Sequence, residues 1–332
     1  MAEDAFSVGN YRLEISVRQT VAQAAMAYWK LYGARARLQS SEQGVEQAET
    51  IYQQESDKLA LGASSNPEVA AARAQREQFR VSRAESQRNV ADAERQLRTL
   101  MGSPLEDSKK IIPTTLPLLD RHELDWENSV VAAVSVRPEI QLQKSSVHLA
   151  HLNHRSADDG LRPDVRGYAG WGLSGTANNL NGSYQTLATG DYQNWWTGVV
   201  YQKQLGGRSA RSLHTQSLLS VSRERAALEM AEQDVYEELH AAHQRVTNAW
   251  EVKELSTDHM AAATEVVTAR REMHALGEMS LQDYLSSLST WEASVADQRQ
   301  AVADYNIAVV EWEYARGSIL AWQQIDFPSE SR

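Results

Sequence analysis

Between Leu276 and Ser318 the apolar positions fall into one continuous seam. Positions 284, 288, 291, 295, 298, 302, 305, 309, 312, 316 and 319 alternate steps of four and three, and read Tyr, Leu, Trp, Val, Gln, Val, Tyr, Val, Trp, Arg, Ile. Only Gln298 and Arg316 break its apolar character, so this is the spacing of a coiled-coil-like helix. No Pro and no Gly interrupts it before Gly317. A helix over 281–319 is predicted, roughly 55–60 Å long. Ahead of it, Leu276-Gly277-Glu278-Met279-Ser280-Leu281-Gln282-Asp283 reads as a turn and a helix start.

The same layout occurs 215 residues upstream. Leu61-Gly62 matches Leu276-Gly277, Ser65 matches Ser280, Glu68 matches Asp283, and Gly102-Ser103 matches Gly317-Ser318. Before the turns, Ala27 falls on Ala242, Leu31 on Val246 and Ala48 on Ala263. Shared turns and helix ends at one offset imply an internal duplication of a helix–turn–helix unit. The first copy's seam is weaker: Val69, Ala72, Phe79, Val90, Ala93, Leu97 and Met101, with Arg76 and Arg83 intruding.

Taken in order, residues 1–9 are expected to fray, and one helix of about 75 Å to run from Asn10 to Ala60. Val17, Val21, Ala24, Tyr28, Leu31, Leu38, Val45, Ala48 and Tyr52 give its stripe. Gly62 permits a left-handed C-terminal cap. Asn66 is placed to cap the next helix, with Pro67 at its first position; it ends near Met101. A linker with Pro104, Pro113 and Pro117 follows, then a short helix over Glu123–Val136. Pro138 opens another, to about Gly160. From Arg208 to Ala275 the pattern predicts one helix of about 100 Å, and the helix lengths together predict a tall rod of antiparallel pairs.

Two stretches alternate with strand period. Val165, Ala169, Trp171 and Leu173 oppose Arg166, Tyr168 and Ser174; Trp195, Thr197, Val199 and Tyr201 oppose Trp196, Val200, Gln202 and Gln204. Strands over Asp164–Gly175 and Asn194–Leu205 are close to the roughly 9–11 residues of a tilted membrane-spanning strand. Their link, Thr176 to Gln193, is polar and reads as a loop. Tyr168, Trp171, Tyr192, Trp195, Trp196 and Tyr201 cluster here as membrane-interface girdles do. A soluble hairpin with an aromatic core face is equally open at this point.

Composition narrows the class. The 332 residues are 42% hydrophobic, and no run of about 18 apolar residues exists, which excludes a helical membrane protein. Gly (17) and Pro (7) are few, which suits long helices. The net charge of −11, with basic residues interleaved among acidic ones, leaves no nucleic-acid footprint. Absence of Cys rules out disulfides, thiolate metal sites and a lipidated Cys on this chain. Met1-Ala-Glu-Asp-Ala-Phe-Ser has neither a basic nor an apolar signal region.

Several motifs, in order, resemble the TolC-like outer membrane efflux protein family over nearly the whole chain. They are Ala27-Tyr28-Trp29-Lys30-Leu31, the two Leu-Gly-x-x-Ser turns followed by an acid, and Arg137-Pro138-Glu139-Ile140. Leu161-Arg162-Pro163-Asp164-Val165 leads into a strand, and Leu205-Gly206-Gly207-Arg208 leaves one. The resemblance implies a mainly α fold of long antiparallel helical hairpins, an α-barrel subunit, with one β-hairpin contributing to a membrane β-barrel. Its divisions are a first-repeat helical hairpin (1–102), a linker or equatorial segment (103–136) and a helix entering the second repeat (137–163). A barrel hairpin (164–205), the second-repeat helical hairpin (206–322) and a tail (323–332) follow. It implies a homotrimer in outer-membrane lipid, with a twelve-stranded barrel above a periplasmic tunnel. Such a channel is the passive exit duct of a tripartite efflux or type I secretion system, reached by a periplasmic adaptor and, through it, an inner-membrane pump. No cofactor is implied, and no enzyme activity. Under the duplication Met1 corresponds to Gln216, so the first copy's two strands are expected ahead of Met1, and the chain reads as N-terminally truncated. Gln202-Lys203-Gln204-Leu205 also lacks the Pro-Leu-Phe common in the family, and Met279 and Ser286 stand where it can carry Arg and a second acid.

Candidate sites follow from the resemblance. Leu61, Gly62, Ser65, Leu276, Gly277 and Ser280 would form adaptor-docking turns, where a small residue permits close backbone approach and a hydroxyl can bond it. As ordinary chemistry, a Gly cap ends a helix in any hairpin. Glu68 and Asp283 would make acidic rings at the tunnel mouth; equally, a carboxylate in a first helical turn is favoured by the dipole. Tyr168, Trp171, Trp195, Trp196 and Tyr201 would form the membrane aromatic girdle. His148, His151 and His154, and His240 and His243, have helical spacing, but no acidic partner is fixed by it, and no metal site is expected. No P-loop or Ser-His-Asp order is present. The competing class is a soluble scaffolding coiled coil, which has no use for two aromatic-rich strands.

Overall fold

The computed structural model describes residues 2–104, 109–175, 177–190, 193–203 and 206–326. In order these form α1 (Ala2–Ala60), α2 (Asn66–Met101), α3 (Trp126–Val136), α4 (Pro138–Asp159), β1 (Asp164–Leu173), α5 (Leu180–Thr189), β2 (Gln193–Gln202), α6 (Arg208–Ala275), α7 (Leu281–Arg316) and α8 (Ile319–Trp322). Two compact units result: Met1–Leu142 with Ala231–Arg332, and Gln143–Met230. The mainly α fold with one β-hairpin is as expected. Of the residues singled out in the sequence, Thr176, Tyr192, Gln204, Leu205 and most of the tail lie outside the described residues.

In the first unit α1 lies between α2 and α7. The α7 seam accounts for this: Tyr284, Leu288, Val295, Val302, Tyr305, Val309, Trp312 and Ile319 are all buried. Trp291 is half-buried and donates Nε1–H to Thr264 Oγ1 at 3.1 Å. Further positions, among them Leu285, Ala296, Ala303 and Val310, are buried as well, because α7 is covered on more than one side. The α1 helix reaches it closely at two glycines. A Cβ at Gly33 would lie 2.9 Å from Ala303 Cβ, and one at Gly44 would lie 3.2 Å from Glu292 Cγ. On its other side α7 meets α6 through Trp250–Tyr305 and His243–Trp312 ring contacts and an Arg245–Glu311 ion pair of 3.0 Å.

The weaker first-copy seam buries Ala72, Phe79, Val90 and Leu97, together with Ser86 and Glu94. Arg76 is largely covered by α1. Its guanidinium lies 4.2 Å from the Tyr52 ring centroid and 3.3 Å from Glu49, so stem and charge are each accommodated. The linker is held by buried polar groups of α7. Asn306 Oδ1 accepts from Leu118 N–H at 2.9 Å, and Tyr305 OH accepts from His122 N–H at 2.7 Å. Lys253 Nζ donates to Leu119 O at 2.6 Å.

Several assignments differ from the expectation, among them α3, which begins at Trp126 rather than Glu123, and α7, which ends at Arg316 rather than 319. The first helix begins at Ala2 rather than Asn10. Ser65, not Asn66, is the N-cap of α2, and Asn66 is the first helical residue. The polar link between the strands contains α5: Asn179 Oδ1 accepts from Gly182 N–H at 2.7 Å, and Gly190 ends the helix at φ 72°. The residues read as loop punctuation are its caps. A single further turn, α8, follows Gly317.

In the second unit β1 and β2 pair antiparallel, from Asp164 opposite Gln202 to Leu173 opposite Gln193. This register brings both apolar sets to one face: Val165, Ala169, Trp171 and Leu173 beside Tyr201, Thr197, Trp195 and Gln193. Tyr168 and Trp196 lie on the other face, where they cover Gly198 and Gly170. Most of both strands is exposed, including Trp171, Trp195, Val199 and Tyr201.

Candidate functional site

The duplicated turns have the same geometry. After α1, Gly62 N–H donates to Leu59 O (3.0 Å) and Ala63 N–H to Lys58 O (2.8 Å); after α6, Gly277 N–H donates to His274 O (3.0 Å) and Glu278 N–H to Met273 O (2.9 Å). Both are Schellman closures, with φ 74° at Gly62 and 79° at Gly277. Each pair of bonds maps onto the other at the 215-residue offset. The far ends match as well. Gly102 and Ser103 close α2 on Thr99 O and Arg98 O, and Gly317 and Ser318 close α7 on Tyr314 O and Glu313 O. A Cβ at Gly62 or Gly277 would meet nothing within 4 Å, so only the backbone conformation demands glycine at these two positions. Leu61 is 84% and Leu276 74% exposed; both project apolar surface to solvent.

The serines and acids act within their own helix starts. Glu68 Oε2 accepts from Ser65 N–H (2.8 Å), Ser65 Oγ (2.8 Å) and Ser64 Oγ (3.1 Å). The Ser65 hydroxyl and N–H, with Ser64, hold its carboxyl below the usual carboxylate range. In the second copy Asp283 N–H donates to Ser280 Oγ (3.2 Å), and that hydroxyl donates to Asp283 Oδ2 (2.6 Å). The Asp side chain is one methylene shorter and takes the hydroxyl. First-turn stabilisation therefore describes both carboxylates, and both stay exposed.

Beneath the turns lies a contact that sequence reasoning missed. Glu55 on α1 is buried and accepts from Lys58 Nζ (2.6 Å) and Ser64 Oγ (2.9 Å). His274 at the end of α6 places Nε2 3.6 Å from Glu55 Oε1 and Nδ1 3.2 Å from Met279 O, and its ring stacks on Tyr284 at 5.6 Å. The two turns are thus brought to one end of the first unit and tied. Burial pushes the Glu55 carboxyl up, but the Lys58 and Ser64 hydrogen bonds and the nearby Lys58 and His274 charges outweigh it, leaving the carboxyl below its ordinary range. The available signal was a carboxylate continuing the buried stripe Ala48, Ile51, Glu55.

The histidines disperse. His154 Nδ1 lies 3.0 Å from Ser217 Oγ, His151 Nε2 lies 3.0 Å from Arg225 Nη2, and His240 and His243 pack on Trp126. Among the described residues no three of His, Asp and Glu gather in a metal-binding arrangement. Among the described residues no helix is long and apolar enough to cross a membrane.

Long duplicated hairpins with one β-hairpin form the fold of solved outer-membrane channels. Residues 2–103 match the family model described as outer membrane efflux protein, the family that the sequence motifs resemble. Across the chain the fold is that of solved channels. The CmeC outer membrane channel of Campylobacter jejuni superposes with a TM-score of 0.77 at 18% identity over 96% of this chain and 66% of its own length. The outer membrane protein VceC of Vibrio cholerae gives 0.76 at 14% identity over 95% and 75% of the two chains. The open-state MtrE outer membrane channel of Neisseria gonorrhoeae gives 0.67 at 15% identity over 95% and 72%. The chain therefore spans just under two thirds of the length of CmeC. No curated protein matches it in sequence.

Proposed function

We propose that the chain is a subunit of an outer-membrane channel that serves a tripartite efflux or type I secretion system as a passive exit duct. The observation that carries this is the fold shared with outer-membrane channels over at least 95% of the chain. In this reading the subunit is part of a homotrimer with a periplasmic extension. The apolar face of β1–β2, with Trp171, Trp195 and Tyr201, meets outer-membrane lipid, and Tyr168 and Trp196 complete the aromatic set from the other face. The paired turns at Gly62 and Gly277 receive a periplasmic adaptor: exposed leucines and glycine backbone leave room for close approach. Glu68 and Asp283 set an acidic mouth that favours cations. The duct catalyses nothing itself and takes its substrate from the inner-membrane pump.

A scaffolding coiled coil fits less well, because the β-hairpin presents an apolar face that a rod in water has no reason to expose. The test is complementation. The protein, exported in cells deleted for their own outer-membrane channels, should fractionate with the outer membrane and lower accumulation of a fluorescent pump substrate. A wholly soluble distribution with no change in accumulation would overturn the reading.

A further inference from the structure

The segment between α2 and α3 crosses the first unit as a strap. Pro113 and Pro117 fix their own φ, and residues 111–119 form neither helix nor strand. Polar groups of α2, α1 and α7 pin it along its length. Ile111 N–H donates to Glu94 Oε1 at 3.1 Å, Thr115 N–H to Tyr28 OH at 2.8 Å and Leu118 N–H to Asn306 Oδ1 at 2.9 Å. Held in this way, the strap leaves Ile112, Leu116 and Leu119 exposed.

Between the strap, α1 and α7 lies a cleft of about 500 Å³, within the roughly 300–1,000 Å³ of small-molecule sites. Its wall is apolar where the strap supplies Ile112, Leu116 and Leu119 and α7 supplies Val302. The only charged residues lining it are Arg35 and Arg299, with no carboxylate, in a chain whose net charge is −11.

Neither arginine is fully neutralised. Arg299 Nη1 donates to Gln39 Oε1 at 2.9 Å and to Ala36 O at 3.4 Å. Both partners are uncharged, and both residues line the same cleft. Arg35 Nη2 lies 3.1 Å from Glu94 Oε2, but that carboxylate also takes Arg98 at 2.7 Å, so two cations share one negative charge. A guanidinium held in place by neutral groups is pre-organised for a carboxylate. The apolar wall beside it suits a hydrocarbon chain and gives a bare anion nothing. A metal ion or a cationic ligand would meet only like charge.

We infer that this cleft binds an amphipathic anion, a free medium-chain carboxylate. Its head pairs with Arg299, and its chain lies along Ile112, Leu116 and Val302. Such a ligand joins the strap to α1 and α7. The site is confined to the first unit and does not rest on the channel reading.

The test is photolabelling of the full-length chain in nonionic detergent. A diazirine-bearing decanoate is compared with a decyltrimethylammonium ion carrying the same diazirine, and the labelled peptides are mapped by mass spectrometry. The anionic probe should label 111–119 and 298–302 several-fold more than the cationic one. Unlabelled decanoate should suppress this labelling, and acetate at the same concentration should not. Arg299→Gln should abolish the preference for the anion, and Arg299→Lys, which keeps the charge, should retain it; circular dichroism confirms that both variants fold. Equal labelling by the two probes would make the cleft an unselective apolar surface. Equal competition by acetate would make it a site for any small anion. Either result, a preference that survives Arg299→Gln, or no labelling of these segments overturns the inference, and each leaves the channel reading as it stands.

Discussion

His274 and Glu55 are 219 positions apart in sequence, yet His274 Nε2 lies 3.6 Å from Glu55 Oε1 and ties the end of α6 to the end of α1. The tie holds the two glycine turns side by side. Removing the carboxylate should release Lys58, Ser64 and His274 together. Glu55→Ala is expected to cost about 1.5–3 kcal/mol, the range for hydrogen bonds to a charged group. Hydrogen exchange should quicken around both turns while the middle of α7 stays protected. Unchanged exchange at 273–280 would show that the two turns are held independently.

The same carboxyl sets an acid limit. Its folded pKa lies below the ordinary carboxylate range, so its contribution is complete above that range. It is lost as pH falls through the lowered folded value. Acid unfolding followed by circular dichroism should therefore be shallower at its acid end in Glu55→Ala than in the parent. Superimposable acid limbs would contradict this.

Glu292 behaves in the opposite sense. Burial between α1, α2 and α7 pushes its carboxyl up, against the nearby Arg37 and a 3.5 Å hydrogen bond from Ser41. A raised folded pKa means stability that is present below the ordinary carboxylate range and lost as pH rises through the folded value. Glu292→Gln should raise the urea midpoint at neutral pH without altering the slope. That gain should vanish in acid. A lower midpoint at neutral pH would show that the ionised group is needed there.

How far these relationships could be read in the sequence depended on their range. The α7 seam was legible because its period persists through ten positions, 284 to 316, with no breaker, and α6 was bounded by Gly207 and Gly277 as expected. The duplication was legible because glycine turns survive when side chains diverge: Leu59 and His274 share nothing except the carbonyl each offers to a glycine N–H. The helix α5 was hidden, because Asn179 and Gly190 mark a loop and a capped helix alike. The strand register was also hidden, since alternation assigns faces within a strand and not between strands. Glu55 continued the stripe of Ala48 and Ile51, but nothing local to it named His274 as its partner.

Phe79 tests whether the first-copy seam matters despite its interruptions. It is 3% exposed and closes a cluster with Ala48, Ile51, Leu285 and Leu288. Phe79→Ala should cost about 3–5 kcal/mol, the range for a large buried aromatic. Val81, two residues on and 53% exposed, should cost little as Val81→Ala in a single chain. Similar losses at both positions, measured by chemical denaturation in detergent, would mean that α2 is covered on its outer side under those conditions.

The turns themselves give the last prediction. Gly277 has φ 79° and open space where a Cβ would stand. Gly277→Val therefore meets no clash within the chain, and its cost is the left-handed backbone alone, about 1–2 kcal/mol. Ser280→Leu removes the hydroxyl that accepts from Asp283 N–H, about 1 kcal/mol for a lost N-cap. A fold with a seam as long as that of α7 should tolerate both. If the turns dock an adaptor, the two changes fill the approach to the glycine backbone and remove its neighbouring hydroxyl. Substrate export and adaptor cross-linking at 276–280 should then fall while subunit association persists. The control is Gln298, a half-buried seam position remote from the turns: Gln298→Leu should leave export unchanged. Export and cross-linking at parental levels in Gly277→Val with Ser280→Leu would reduce the turns to helix ends, and loss of association along with export would assign the effect to folding instead.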